Sequence, residues 1–343
     1  MLAVVGAGSF GSALASALAA CGRHVTVIGR SPAVVEEING RHSNVRYLPG
    51  TALHENVRAS LAWGDAAGAE AVILAVPSQS LRAACRALSS AGARPARVIV
   101  AAKGLEQGTK MRMSEVARDE WGIDGRRLAA LSGPSHAEEI AWGLPTTLVS
   151  ASASRDCAEY AQNLFMSDRV RVYTNPDIAG VELGGALKNI IALGCGIADG
   201  LSCGDNAKAA LMTRGLTEIT RLGVRLGAAQ RTFSGLAGVG DLIVTCTSRH
   251  SRNWQAGFWL GGGMALPDAL AKVGMTVEGV AAARVAAALA DELAVSMPIA
   301  RAIAAVLFSG RAPAEAVDAL MTRTRTHEME EYAQEEPIGW QYP

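Results

Sequence analysis

Hydrophobic positions follow one rhythm up to about residue 176 and another beyond it. In the first stretch, short β-prone runs recur at 2–5, 24–28, 71–76, 97–102, 128–131, 146–149 and 170–173, that at 71–76 apolar throughout, separated by segments able to turn helically. A run that is apolar throughout, like 71–76, is the pattern of a buried strand. The run at 71–76 stops at Pro77, and Ser78 is placed to cap a helix passing through Leu81 and Leu88. Strands alternating with helices predict a doubly wound α/β domain, whose ligands gather at the carboxyl ends of the strands. Lys103 and Ser135 fall just past two such ends.

After residues 174–176 the strand signals nearly cease. Amphipathic or alanine-rich helical segments are expected near 205–227, 252–260, 277–294, 297–308 and 313–322, with only 242–245 reading as β-like. The chain therefore divides into an α/β domain at 1–178, an all-helical domain at 179–323 and a polar tail at 324–343, expected to be loosely held. Residues 180–200 read as one long helix, apolar on every face, which marks it as buried. Lys188 lies on it, sharing a face with Gly184, Gly185 and Ile191. Either its amine snorkels to water, or it sits in dry surroundings with a lowered pKa and serves in proton transfer.

The first strand runs into Gly6-Ala7-Gly8-Ser9-Phe10-Gly11, then a helix and a second strand. That context gives the glycine pattern its meaning: Gly6, Gly8 and Gly11 permit a tight turn and close backbone approach to a pyrophosphate at a helix N-terminus. The α/β domain is thus expected to be Rossmann-like. The second strand ends Ile28-Gly29-Arg30-Ser31, with a cation where an acidic residue would grip an NAD ribose. Arg30 favours a 2′-phosphate, hence NADP(H), with NAD(H) as the other cofactor open to the site; alternatively it is only a solvated loop residue.

Composition narrows the class. Half of the 343 residues are hydrophobic, 19% are charged and the formal net charge is zero. Without a basic stripe the chain is not expected to bind nucleic acid. Six scattered cysteines, without Cys-x-x-Cys spacing or histidines at ligand spacing, suit a reducing compartment and indicate no metal site. Residues 1–21 imitate a lipoprotein signal, ending Leu18-Ala19-Ala20-Cys21, yet no Lys or Arg precedes Arg23. They are expected to be folded protein in a cytoplasmic chain. No uninterrupted apolar run reaches membrane-spanning length.

Two further places carry chemistry. Asp241, after Gly238-Val239-Gly240, reads either as a turn or cap residue or as the carboxylate that orients Lys188. Ser251-Arg252-Asn253 opens a helix and forms an anion seat from N–H groups, dipole and guanidinium; the alternative is ordinary capping by Ser251. His136 and His250 read as polar loop histidines.

These stretches, with Lys103-Gly104-Leu105-Glu106, Ser132-Gly133-Pro134-Ser135, Leu183 through Asn189, Thr245-Cys246-Thr247-Ser248 and Val277-Glu278-Gly279, occur together and in order. Over residues 1–322 the chain resembles the bacterial-type NAD(P)-dependent sn-glycerol-3-phosphate dehydrogenases. The resemblance implies reversible reduction of dihydroxyacetone phosphate by NAD(P)H for glycerophospholipid synthesis, in a cleft between the two domains of an enzyme that is often a homodimer. It implies Lys188 as proton acceptor for alcohol oxidation. Substrate-contacting positions would be Lys103, Gly133, Ser135, Lys188, Asp241, Ser251, Arg252 and Asn253. Cofactor-contacting positions would be Ser9, Phe10, Arg30, Tyr47, Lys103, Ala137, Arg252, Val277 and Glu278. The chemistry of the residues agrees: hydride reduction of a ketone leaves an alkoxide that needs a positive field and a proton. Lys188 would supply both, Lys103 a second cation, and Asp241 their counter-charge. Gly184 and Gly185 would let a ligand approach the helix backbone. A reductase of hydroxy or keto acids on the same plan is the other enzyme reading, and the anion seat speaks against it.

Overall fold

The computed structural model describes residues 1–325. All but the first two residues of the expected tail, 324–343, lie outside the described residues.

Eight strands form one sheet: β1 Leu2–Val5, β2 Val25–Ile28, β3 Val57–Ser60, β4 Ala71–Leu74, β5 Arg97–Val100, β6 Leu128–Ser132, β7 Thr146–Ala151 and β8 Val170–Asn175. They lie in the order β3-β2-β1-β4-β5-β6-β7-β8. Every pairing is parallel except β6 with β7. The first six strands have the order of a dinucleotide-binding sheet, which reverses between β1 and β4 and opens a crevice at their carboxyl ends. Strands β1, β4 and β5 are buried through most of their length because both faces are covered. Leu2 and Val4 join the core under helix Ser9–Ala20, while Ala3 and Val5 join the core under helices Leu81–Ser90 and Met113–Trp121.

Beyond Asn175 the described chain is helical. Helix Ile178–Gly200 is the axis of this second domain, with residues 180–198 buried without exception. Asp177 caps it by accepting from the Gly180 N–H at 2.9 Å. By length and composition this helix could cross a membrane, although the run is interrupted by Glu182, Lys188 and Asn189. Instead 89% of its most apolar window is buried in the protein.

Three expectations are corrected. The stretch 242–245 is not β-like but part of helix Asp241–Thr247, where Leu242, Thr245 and Cys246 point inward at helical spacing and Ile243 is exposed. Strand β3 was absent from the β-prone runs because Val57-Arg58-Ala59-Ser60 alternates at a sheet edge. Ser78 does not cap helix Leu81–Ser90: a 3₁₀ turn at Ser78–Ser80 intervenes, and its hydroxyl is engaged elsewhere.

Candidate active site

A cleft of about 200 Å³ lies where the carboxyl ends of β1, β4 and β5 face the helical domain. Its floor is set by the glycine loop. Gly6 has φ +114°, and a Cβ there would stand 2.7 Å from the Ala75 carbonyl oxygen. A Cβ on Gly11 would run into the Gly6 carbonyl, so both glycines are required by packing between turn, helix and strand. Gly8 is different: a Cβ there would meet nothing within 4 Å, and Gly8 itself lines the cleft. Open space over the N-terminus of helix Ser9–Ala20, where first-turn N–H groups lack helical acceptors, fits a pyrophosphate. Ser9 donates to the Tyr47 carbonyl at 2.6 Å, fixing the loop's far wall.

Lys188 enters from the opposite side. Only 5% of it is exposed, and its Nζ donates to Asp241 Oδ1 and, at 2.7 Å, to Thr245 Oγ1. Asp241, 1% exposed, is shared: its Oδ2 accepts from Lys103 Nζ at 2.9 Å. Lys103 also donates to the Gly133 carbonyl at 2.9 Å and to Ser135 Oγ at 3.1 Å. Two ammonium groups thus converge on one carboxylate, the arrangement in which Asp241 orients Lys188. Burial pushes the Lys188 amine down to about 8, with Asp241 opposing and Lys103 adding to the shift. For Asp241, burial favours the acid, but Lys103 and Lys188 outweigh it and hold the carboxyl below its usual value.

The anion seat also forms. Ser251 caps helix Arg252–Gly261 by accepting from the Trp254 N–H at 3.2 Å, so capping and cleft lining coexist in one residue. Arg252 lines the cleft and donates to the Thr276 carbonyl at 3.3 Å. Burial lowers its guanidinium, with Glu278 and Glu138 opposing. The Asn253 amide is engaged within the protein: Nδ2 donates to Asn189 Oδ1 at 2.9 Å and Oδ1 accepts from the Gly279 N–H at 2.8 Å. It ties three helices beside Lys188.

Of the expected contact residues, Gly8, Ser9, Phe10, Lys103, Ser135, Ala137, Lys188, Asp241, Ser251, Arg252, Asn253 and Glu278 line the cleft. Gly6, Gly11, Gly133, Tyr47 and Val277 are not part of its lining, and Arg30 is exposed past the end of β2. Gly184 and Gly185 do not admit a ligand, contrary to expectation. A Cβ on them would stand 2.6 Å from the Ala237 carbonyl oxygen and 2.7 Å from Ser132 Oγ, so both glycines serve protein packing. Thr245 was missed; its place one turn after Asp241 was the available signal. His136 and His250 are more than loop histidines. Both line the cleft, with ring centroids 6.1 Å apart, and burial together with Lys188 lowers the His136 pKa.

A dinucleotide-type sheet whose crevice is closed by a lysine–aspartate–lysine cluster, Lys103 from the sheet side and Asp241 and Lys188 from a helical domain, defines a two-domain, nicotinamide-dependent dehydrogenase. Residues 1–158 match the family model for the N-terminus of NAD-dependent glycerol-3-phosphate dehydrogenase, and residues 177–318 match that for its C-terminus. The glycerol-3-phosphate dehydrogenase (NAD(P)+) of Shouchella clausii is 49% identical, covering 96% of this chain and 98% of its own. That of Listeria monocytogenes is 49% identical over the same shares. The crystal structure of glycerol-3-phosphate dehydrogenase from Coxiella burnetii superposes with a TM-score of 0.89 at 37% identity, covering 94% of this chain and 98% of that one. The chain belongs to the NAD-dependent glycerol-3-phosphate dehydrogenase family.

Proposed function

We propose that the protein reversibly reduces dihydroxyacetone phosphate to sn-glycerol 3-phosphate with NAD(P)H, supplying the glycerol phosphate unit for glycerophospholipids. The observation that carries this reading is the buried Lys188–Asp241–Lys103 cluster facing both the glycine loop and the Arg252 seat across one cleft. Gly6, Gly8, Ser9, Phe10 and Gly11 would hold the cofactor diphosphate, with Arg30, Tyr47, Ala137, Val277 and Glu278 completing its site. The bound nicotinamide supplies or accepts the hydride.

The protein's part is positioning and proton transfer. Lys188, as ammonium, donates a proton from Nζ to the substrate oxygen during reduction and takes it back during oxidation. Asp241 keeps Nζ aimed, and Thr245, whose hydroxyl donates to the Asp241 carbonyl at 2.6 Å, turns its lone pairs to the amine. Lys103, held by Gly133 and Ser135, adds positive field at the same oxygen. Ser251, Arg252 and the first-turn N–H groups of their helix, with Asn253 holding that helix in place, would receive the substrate phosphate.

Lys188→Ala is expected to lower turnover at least about 10³-fold while cofactor binding, followed by protein fluorescence, stays near wild type. Near-normal turnover would remove the lysine from the mechanism. Arg30 supports a preference for NADP(H) over NAD(H). Arg30→Asp should shift the ratio of the two affinities toward NADH, and an unchanged ratio would place recognition of the 2′-phosphate elsewhere. All six cysteines are free, which supports a reducing, cytoplasmic setting. The domain division at 178/179 and a homodimeric state complete the reading; sedimentation would read the latter directly.

A further inference from the structure

Two oppositely charged side chains, Glu278 and Arg252, line the same cleft and yet, among the described residues, do not pair with one another. Glu278 is held instead by Ser78. Its N–H donates to Glu278 Oε1 at 2.9 Å, and its hydroxyl donates to Oε2, so both carboxylate oxygens are engaged. Ser78 is 1% exposed and braced from behind. Gln79 Nε2 donates to Ser78 Oγ at 3.1 Å and to the Leu105 carbonyl at 2.7 Å. Gly104 leaves room for the arrangement: a Cβ on it would stand 2.6 Å from Ser78 Oγ and 3.2 Å from Glu278 Oε2.

We propose that Ser78 is a positioning residue that holds the Glu278 carboxylate off Arg252, keeping the guanidinium open to the substrate's phosphate. This rests on the reading of the cleft as a site for a phosphorylated substrate. A carboxylate and a guanidinium in one partly buried cleft attract strongly and pair in a two-pronged geometry that occupies the N–H groups a phosphate needs. Two donors from Ser78, and the N-terminus of helix Glu278–Glu292 where Glu278 sits, compete for that carboxylate. Removing the hydroxyl leaves the carboxylate one donor fewer and lets it swing to Arg252. The glutamate then becomes an internal competitor of the substrate.

The relation is tested by calorimetric titration of glycerol 3-phosphate into enzyme saturated with NADPH, a pair that cannot react, so binding is read without turnover. Ser78→Ala should weaken glycerol 3-phosphate about tenfold. Ser78→Ala combined with Glu278→Gln, with NADPH saturation verified for each variant because Glu278 also borders the proposed cofactor site, should recover affinity to within about threefold of wild type, because glutamine carries no charge to capture Arg252. A loss of packing alone would not be reversed by the second substitution. Unchanged affinity in Ser78→Ala, or a loss that Glu278→Gln leaves in place, overturns the proposal. Should Ser78→Ala not fold, Gly104→Ala displaces Ser78 from the other side and should show the same loss and the same recovery. If the wild-type enzyme itself does not bind glycerol 3-phosphate, the substrate reading falls. The Ser78 relation is then read in the same variants with inorganic phosphate, where the same weakening and recovery are required.

Discussion

A single amine sets the pH behaviour of the proposed chemistry. Lys188 is charged in water at any ordinary pH, but burial brings its pKa down to about 8, Lys103 pushes the same way, and Asp241 limits the fall. Reduction needs the ammonium and oxidation the free amine. With the pKa depressed to about 8, kcat/KM for reduction should hold at lower pH and fall as pH rises through 8. Oxidation should run the other way, gaining up to about 8 and levelling above it. Initial rates of both directions between pH 7 and 9.5 check this, and two flat profiles would show that proton transfer from Lys188 does not limit either. Asp241→Asn, which removes the charge opposing desolvation, should move both inflections to lower pH. At this scale the chain disclosed residue types better than partnerships. Lys188, Lys103 and Asp241 were legible as candidates, whereas the sharing of one carboxylate by both amines depends on bringing residues 103, 188 and 241 together, which no local spacing encodes. The engagement of Asn253 with Asn189 and Gly279 was hidden for the same reason.

Among the elements, helices Ile178–Gly200 and Arg252–Gly261 pack backbone to backbone, and glycines set their separation. Gly196 and Gly200 on the first, and Gly257 and Gly261 on the second, each lie so near the partner's backbone carbonyl that an added Cβ would overlap it. Because the obstacle is backbone rather than a yielding side chain, Gly257→Ala should destabilise by about 3 kcal/mol, the upper end of the usual cost of overpacking. A fall in the urea midpoint at unchanged slope would register it. A midpoint within experimental error of wild type would mean the helices can part freely. This contact also places Arg252 and Asn253 beside Lys188, so the substitution should weaken substrate binding as well. Here the sequence was uneven. Seven of eight strands were legible, the interior ones because burial on both faces leaves a largely apolar run and the edge strand β8 from its β-branched residues, and the central helix because it is apolar all round. The glycine spacing went unread since small residues look alike whether they admit a ligand or a second helix, as Gly184 and Gly185 also show. The stretch 242–245 misled because four β-prone residues describe one turn of buried helix equally well when the inward positions are three and four apart.

At the scale of the whole molecule, the ties across the cleft share a polarity. Cations and donors on the sheet side (Ser78, Lys103, Lys110, Arg112 and Ser114) meet carboxylates on the helical side: Glu278, Asp241, Glu292 and Glu182. The Glu182 tie is the most enclosed of those outside the active site. It accepts from the Ser114 N–H at 2.7 Å, the Ser114 hydroxyl at 2.6 Å and Arg112 Nη1 at 2.7 Å, capping helix Met113–Trp121 from the other domain. Burial raises the Glu182 pKa, with Arg112 and Ser114 opposing, so its place in the structure depends on those partners. Glu182→Ala would leave the buried Ser114 N–H and hydroxyl without their acceptor and Arg112 paired with Glu115 alone, and orphaning buried donors costs about 1–3 kcal/mol each. Glu182→Gln, which keeps an acceptor oxygen, should cost less. The decisive comparison is denaturant unfolding followed by two probes, one reporting on Trp121 in the sheet domain and one on Trp254 in the helical domain. In wild type the two transitions should coincide, and in Glu182→Ala they should shift to lower denaturant and separate. Coincident, unshifted transitions in that variant would show that the domains are joined by the apolar seam of Ala130, Val149, Val181 and Ala237 instead, with the charged ties serving only to orient the cleft.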